Sequence, residues 1–103
     1  MNIENIRNSI KKKKIITGYH SRKRIVERKV YYDEILEVIL HGEVLEEYVE
    51  AKPYPACLIM GFVRGDEPLY VVCAQNPESK YVYIITVHWQ DPKKWKDPWT
   101  RKK

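Results

Sequence analysis

Apolar residues recur at two different spacings along the chain, helical before position 42 and strand-like after it. In residues 2–10, isoleucines recur every three or four positions, which predicts a short amphipathic helix. A second helix is predicted from Tyr19 to about Arg28, and a third begins near Tyr32. The third helix is predicted to stop at Gly42, because glycine adopts the left-handed conformation without steric cost.

After Gly42 the apolar residues alternate with polar ones or form short apolar runs, both of which are typical of β-strands. Four strands are predicted: Val44–Val49, Ala56–Arg64, Leu69–Gln75 and Tyr81–Trp89. Short turns join them, so an antiparallel meander is the natural topology. The predicted fold class is therefore α+β, with two or three N-terminal helices packed on a four-stranded antiparallel meander sheet.

The 103 residues are predicted to form a single domain, since a chain of this length can bury one modest core. Residues 1–18 hold the first helix and a basic linker, residues 19–90 the core, and residues 91–103 a basic tail. Within the tail, Trp95 and Trp99 each follow an Asp-Pro pair. Such a pair is predicted to start a short turn, which would let each tryptophan fold back on the sheet.

The net charge of +5 is distributed unevenly. Residues 1–30 carry ten Lys or Arg residues against two acidic residues, and residues 93–103 carry six against one. Residues 31–92 carry three against eleven. Two basic ends around an acidic middle favour a polyanion partner such as RNA near the termini, and they are equally typical of ends that only aid solubility.

The apolar runs are all too short for a membrane span, which requires roughly 18 residues. The lysines of residues 11–14 interrupt the N-terminal apolar stretch, so a signal peptide is not expected. A cytoplasmic location is therefore predicted, with Cys57 and Cys73 reduced and buried in strand-like runs. Because the cysteines and histidines lack paired ligand spacing, we expect neither a metal site nor a cofactor.

Three side chains with catalytic potential lie on one stripe of the second predicted helix. His20, Arg24 and Glu27 are spaced at i, i+4 and i+7, which places a base, a cation and a carboxylate side by side. The apolar residues of this segment fall on a separate stripe that is predicted to anchor the helix: Tyr19, Val26 and Val30.

Alternation along the fourth predicted strand places Thr86 and His88 on the same face as Val82 and Ile84. If the second helix packs across this sheet, its stripe and the strand's two polar residues converge on one cleft, which Arg101 of the tail could join. Such a set suits metal-independent RNA cleavage, which needs a base for the 2′-OH proton and an acid for the 5′-oxygen. The reaction also needs cations against the extra negative charge on phosphorus, and the arginine fork suits a phosphate.

The hypothesis assigns a role to each of these residues. His20 and His88 share the acid and base roles, while Glu27 orients His20 or Arg24. Phosphate is held by three arginines and positioned by one threonine: Arg24, Arg28, Arg101 and Thr86.

Each of these residues also has an ordinary structural interpretation. His20 would cap or pair within its helix, and Arg24 and Glu27 would form a solvated ion pair. His88 would be a half-buried histidine at a strand end. Two other functions stay open: a non-catalytic nucleic-acid-binding module, and a protein-interaction domain that uses the acidic edge strand at residues 43–50.

Six segments occur in a fixed order: His20-x3-Arg24-x2-Glu27-Arg28, Gly42–Tyr48, Pro55–Gly61, Pro68–Ala74, Ile84–His88 and Asp91–Trp95. Over about residues 19–101 they resemble a bacterial family known as domain of unknown function 4258. The resemblance implies a small helix-plus-sheet fold, loosely related to RelE, barnase and EndoU-like ribonucleases, a group that includes many bacterial toxins. A toxin of this kind implies an antitoxin-like partner whose acidic segment covers the basic cleft.

The chain departs from the family pattern at two positions. The family often has histidine where this chain has Tyr70, and it usually has tyrosine where this chain has His88. The resemblance therefore implies that any role of a histidine on the third predicted strand has been lost here or has moved to His88.

Overall fold

Three helices cover one face of a β-sheet, in agreement with the helical part of the prediction. The computed structural model describes residues 2–103, so residue 1 of the predicted domain lies outside the described residues. The helices are α1 (Ile3–Lys11), α2 (Tyr19–Glu27) and α3 (Tyr32–His41).

The sheet has five strands and is mixed, which corrects the predicted four-stranded antiparallel meander. Its strands are β1 (Ile15–Thr17), β2 (Glu43–Tyr48), β3 (Ala56–Val63), β4 (Glu67–Gln75) and β5 (Val82–Trp89). They lie in the order β1-β5-β4-β3-β2. The four strands from β2 to β5 pair antiparallel, as a meander requires, while β1 pairs parallel with the beginning of β5.

The additional strand β1 lies within the segment predicted to be a basic linker. The Lys14 carbonyl accepts a hydrogen bond from the Val82 amide at 2.9 Å, and residues 15–17 then pair with residues 82–84. Three β-branched residues in succession favour an extended backbone. Because a run of three is too short to show alternation, sequence patterning could not separate it from a linker.

The tail folds back on the sheet and forms a small hairpin in addition to the predicted turns. Its strands are β6 (Trp95–Asp97) and β7 (Thr100–Arg101). Asp91 and Asp97 each accept a hydrogen bond at 2.9 Å from the amide two residues later, which starts the predicted turns. Trp95 is only 3% exposed, so it anchors the tail, whereas Trp99 remains 51% exposed.

The two faces of the sheet carry different residues. The inner face packs against the three helices and forms the main core, whose sheet residues include Ile59, Leu69, Val71, Val82, Ile84 and Val87. The outer face carries a smaller cluster in which Trp95 packs on Leu58, Met60 and Tyr70. Cys57 and Cys73 are direct partners across β3 and β4 on the inner face, and both are buried and free.

Helix α2 is not anchored by the stripe that the sequence predicted. Tyr19 and Val26 are 71% and 76% exposed, so the expectation that they anchor the helix is wrong, whereas Val30, just beyond the end of α2, is buried in the core as predicted. Instead the buried Ser21 hydroxyl donates hydrogen bonds to the carbonyls of Ile84 and Ile85. The physical reason is that β1 covers only the beginning of β5, which leaves carbonyls along the rest of that strand for α2 to satisfy.

Gly42 ends α3 as predicted, but for a different reason. Its φ of −78° is extended backbone, not the left-handed conformation expected from the sequence. A Cβ at this position would lie 2.4 Å from the Val38 carbonyl oxygen and 2.6 Å from that of Met60. Glycine is therefore required because α3, β2 and β3 approach one another closely here.

Candidate functional site

A bulge in β5 turns its polar end toward the outer face of the sheet. Cys73 pairs with Ile84 while Val72 pairs with Thr86, so Ile85 has no partner across the strand pair. Ile84 therefore faces the core, whereas Thr86 and His88 face outward with Val72. The prediction that all four alternating residues share one face is wrong, because the extra residue shifts the alternation by one.

The outward-facing end of β5 lines a cavity of about 540 Å³. We call it the cationic cavity, and its lining residues are Arg28, Thr86, His88, Trp89, Asp91, Lys94, Trp95 and Arg101. It therefore brings together four of the seven predicted site residues, one from the end of α2, two from β5 and one from the tail.

Both the side chain and the backbone of Arg28 are hydrogen-bonded to β5. Its guanidinium donates hydrogen bonds to the Val87 carbonyl and, at 3.5 Å, to the Thr86 hydroxyl. Its own carbonyl accepts a hydrogen bond from the Trp89 indole at 2.7 Å. These contacts fix the end of α2 against β5 and direct a positive charge toward the cavity.

His88 is stacked on a buried tyrosine. Tyr70 lies directly opposite His88 in the strand pair, and the two rings are parallel within 2° with centroids 5.1 Å apart. Tyr70 also stacks on Trp95 at 4.6 Å, and its hydroxyl donates a hydrogen bond to the Pro98 carbonyl at 2.7 Å. Burial raises the pKa of Tyr70 to about 12, so its hydroxyl remains a donor throughout the physiological range.

The two departures from the family pattern fall on this one pair of residues. Tyr70 and His88 are cross-strand partners in van der Waals contact. The pattern that the resemblance supplied has histidine on β4 and tyrosine on β5, so this chain carries the same two ring types with their positions exchanged. The two positions are not equivalent, because Tyr70 is fully buried whereas His88 is partly exposed and lines the cationic cavity.

The surroundings of His88 keep its imidazole neutral. Burial first, and then the positive charges of Arg28, Arg101 and Lys94, together lower the pKa of His88 to about 4, while Asp91 opposes them. At neutral pH the ring nitrogen is therefore available to accept a proton.

Arg101 is fixed at the rim of the cavity by a carboxylate and an aromatic ring. Its guanidinium donates two hydrogen bonds to Glu46, at 2.6 and 3.0 Å, and lies 4.5 Å from the Trp95 ring centroid. The Arg101 guanidinium holds the pKa of Glu46 below its usual value. Because bidentate pairing fixes the plane of the fork, the direction of its remaining N–H groups is set before any anion arrives.

The other three predicted site residues do not line the cationic cavity. His20, Arg24 and Glu27 are all exposed on α2. Arg24 and Glu27 form an exposed ion pair at 3.4 Å, and the His20 ring meets the edge of Tyr19 at a centroid distance of 5.5 Å. The structure therefore does not gather the predicted stripe into one cleft with β5, and the catalytic roles of these three residues stay predictions.

Sequence patterning did not identify two charged residues of the cavity, Asp91 and Lys94. Both lie near the turn that precedes Trp95, and the Lys94 amide donates a hydrogen bond to the Asp91 carbonyl at 2.9 Å. The sequence did contain a signal for these two residues, namely an Asp-Pro turn followed by Trp95. If Trp95 anchors the tail on the sheet, the charged residues next to it must also lie near the sheet.

Two structural properties of residues 2–103 bear on the kind of site. Within these residues, no group of three or more His, Cys, Asp or Glu side chains is arranged to hold a metal ion. None of the helices in the described part of the chain is long and apolar enough to cross a membrane.

A model of a known protein family matches most of the chain. The family described as Domain of unknown function (DUF4258) matches residues 17–89, which include α2, α3 and the whole main sheet except two residues of β1. Searches of curated proteins and of solved structures return no significant match. Since the match extends over more than half of the chain, this protein belongs to the DUF4258 family.

Proposed function

We propose that this protein is a toxin-like, metal-independent endoribonuclease in which the cationic cavity binds the phosphate at the cleaved bond. The supporting observation is a half-buried, neutral histidine in a cavity lined by three cations, Arg28, Lys94 and Arg101, against one carboxylate, Asp91. Positive charge in a partly enclosed cavity favours a phosphodiester, and the neutral imidazole supplies a base.

The proposed reaction is an in-line attack by the 2′-oxygen on the adjacent phosphorus. His88 takes the 2′-OH proton while the new O–P bond forms and the bond from phosphorus to the 5′-oxygen breaks. Arg28 and Arg101 offset the extra negative charge, and the Thr86 hydroxyl positions a phosphate oxygen. The Lys94 ammonium donates a proton to the leaving 5′-oxygen, which gives a 2′,3′-cyclic phosphate and a 5′-hydroxyl.

The same electrostatics couple substrate binding to the proton transfer. Burial, and after it the three positive charges, disfavour a charge on His88. A bound phosphodiester contributes a compensating negative charge, so the pKa of His88 rises and the ring becomes a better proton acceptor when substrate is present.

The exposed stripe on α2 has a separate place in this proposal. Its one cation, Arg24, would hold the RNA strand beside the cavity through a phosphate contact, and the chemical step would fall to His88. His20, the other histidine of the hypothesis, lies outside the cavity but belongs to this stripe, so His41, which is exposed at the end of α3, serves as the matched control for His88.

The test is an RNA cleavage assay in the presence of a chelator. We expect the native chain to give products with cyclic phosphate ends, and His88→Gln to reduce the rate by roughly 10²- to 10⁴-fold, as for a lost general base. His41→Gln should cut at close to the native rate. Intact RNA with the native chain, or an unchanged rate in His88→Gln, would contradict the proposal.

Binding without cleavage would favour the alternative of a non-catalytic nucleic-acid-binding module. In that case the affinity for RNA should fall steeply with salt, because phosphate contacts dominate such binding. Arg28→Ala and Arg101→Ala would then weaken binding, while His88→Gln would leave it nearly unchanged.

One observation favours an additional protein partner. Strand β2 lies at the edge of the sheet, and its Glu43 and Glu47 side chains are exposed. An edge strand offers unpaired backbone groups to a strand of another chain, so a protein partner could bind here by strand addition, whereas the acidic segment of an antitoxin-like protein would cover the cationic cavity. The looser relationship to RelE-like toxins and the cytoplasmic location belong to this proposal as well.

A further inference from the structure

A second cavity lies on the outer face beside the cationic cavity. It has a volume of about 460 Å³, within the range of small-molecule pockets. We propose that it binds an unpaired nucleobase of the RNA strand whose phosphate occupies the cationic cavity. The inference rests on the proposed function and names its substrate class as single-stranded RNA.

The shape of this cavity follows from one row of residues across four strands. Tyr48 pairs with Ala56, Ala56 with Ala74, and Ala74 with Tyr83. Two alanines therefore form a shallow floor between two tyrosine walls. We call this row, together with Tyr54, the aromatic trough.

Tyr54 completes the wall on the side of β5. Its ring stacks on Tyr83 with centroids 5.5 Å apart and an angle of 25° between the planes. Its hydroxyl accepts a hydrogen bond from the Asn76 amide at 3.1 Å, which fixes the ring before a ligand binds. The trough thus presents preoriented aromatic faces, which stack on bases of any sequence.

The trough and the cationic cavity are adjacent on the same face. The neighbouring outward-facing row runs from Glu46 through Leu58 and Val72 to Thr86. Consecutive rows on one face are two residues apart, or about 7 Å along the strands. Thr86 lines the cationic cavity and Val72 lines the trough, so the two cavities meet at this strand pair.

A hydrogen-bonded link also joins the two cavities. The Tyr48 hydroxyl donates a hydrogen bond to Glu46, whose carboxylate holds Arg101 at the rim of the cationic cavity. A wall of the trough and a phosphate-binding cation are therefore positioned by the same carboxylate. The trough suits a neutral, flat group and the cationic cavity suits an anion. A nucleotide contains both, because its base is flat and neutral and its phosphate is an anion. Only an unpaired base could enter the trough. In a duplex, base pairing would cover the edge of the base, and stacking on its neighbours would cover its faces.

The experiment separates base binding from cleavage by using two partial ligands. Backbone amide shifts are followed by NMR during titration with uridine, which has no phosphate, and separately with inorganic phosphate. We expect uridine to shift the amides of Ala74, Tyr83 and Ile85, and phosphate to shift those of Thr86 and His88. No uridine-dependent shift in the trough up to the solubility limit would overturn the inference, whatever the outcome of the cleavage assay.

Variants of Tyr83 test the stacking contribution. A non-cleavable 2′-O-methyl RNA octamer is the probe, and Tyr83→Leu should weaken its binding by about tenfold to a hundredfold, since stacking on one aromatic ring contributes on this scale. Tyr83→Phe should restore it, because the ring is retained. Tyr81→Leu is the matched control, since Tyr81 lies on the same segment outside the trough.

The outcomes of the two experiments are distinguishable. Weaker binding in Tyr83→Leu together with restored binding in Tyr83→Phe supports the trough even if no RNA is cut. Equal affinities for the native chain and Tyr83→Leu would overturn it, and would leave the trough for an apolar segment of a protein partner.

Discussion

The inner and outer faces of the sheet are built from the same four long strands but differ in almost every physical respect. Inner-face residues such as Ile59 and Val71 are fully buried beneath three helices. On the outer face, the tail covers the middle of the sheet through Trp95, and the two cavities lie beside it. The polar and aromatic groups with chemical potential are concentrated on this second face.

The difference shows how a domain of 103 residues keeps a polar site without weakening its core. The inner face alone forms a continuous apolar cluster that includes residues from all three helices. The outer face is therefore free to carry small or polar side chains, such as Ala74 and Thr86, that would leave voids or unpaired groups in a core.

The difference in packing between the two faces is tested most strongly by substituting two adjacent valines of β4. Val71 is fully buried on the inner face, while Val72 is partly buried on the outer face. We expect Val71→Ala to lower the free energy of unfolding by about 2 to 3 kcal/mol and Val72→Ala by about 1 kcal/mol. Chemical denaturation measures both, and equal losses would contradict the assignment of the main core to the inner face.

A smaller change in the free energy of unfolding is expected when the pH is lowered, and it comes from His88 on the outer face. The pKa of His88 is about 4 in the folded protein, against an ordinary value of 6.5, so the unfolded chain binds the proton more readily between these values. The neutral ring therefore contributes full stability above pH 6.5, and this contribution is lost as the pH falls toward 4. We expect a loss of about 2 kcal/mol, since the ring is half-buried.

Unfolding curves at pH 7.5 and pH 5 measure this loss. In His88→Gln the difference between the two pH values should be smaller by the same amount, because glutamine does not titrate. His20→Gln is the control, since that side chain is exposed. A pH dependence that survives in His88→Gln would show that another group is responsible.

The smallest losses of stability are expected from substituting two arginines, one at the rim of the cavity and one on the exposed face of α2. Arg101 makes a bidentate ion pair with Glu46 and lies over Trp95, so Arg101→Ala should cost about 1 kcal/mol of stability and loosen the tail. Arg24 makes one exposed contact with Glu27, and Arg24→Ala should cost less than about 0.5 kcal/mol. Thermal unfolding compares the two, and a larger loss from Arg24→Ala would reverse this ranking.

The helices and the order of the four long strands were predictable because each rests on local periodicity. The fold of the tail was predictable only in part, since its turns depend on Asp91 and Asp97 but its hairpin depends on contact with the sheet. Strand β1 was missed because three residues contain too little pattern.

The site was predicted less well, because it depends on relations between distant segments. The sequence identified Arg28, Thr86, His88 and Arg101, which do meet in one cavity. It could not show that α2 turns its His20 stripe to solvent, since that orientation follows from the contact of Ser21 with free carbonyls of β5. Nor does alternation reveal a bulge, because an apolar Ile85 fits either face.

The unpaired Ile85 also bears on how such a strand can change in evolution. Loss of its single codon would leave a regular ladder in which Val72 still opposes Thr86, so Thr86 and His88 would keep facing outward. Substitution of Ile85 alone would leave the bulge and thus the later residues where they are. Gain of one codon between Thr86 and His88 would instead turn His88 into the hydrophobic core. The loss of one residue just before Thr86 is therefore expected to preserve the outward-facing site, whereas the gain of one residue just after Thr86 is expected to disrupt it.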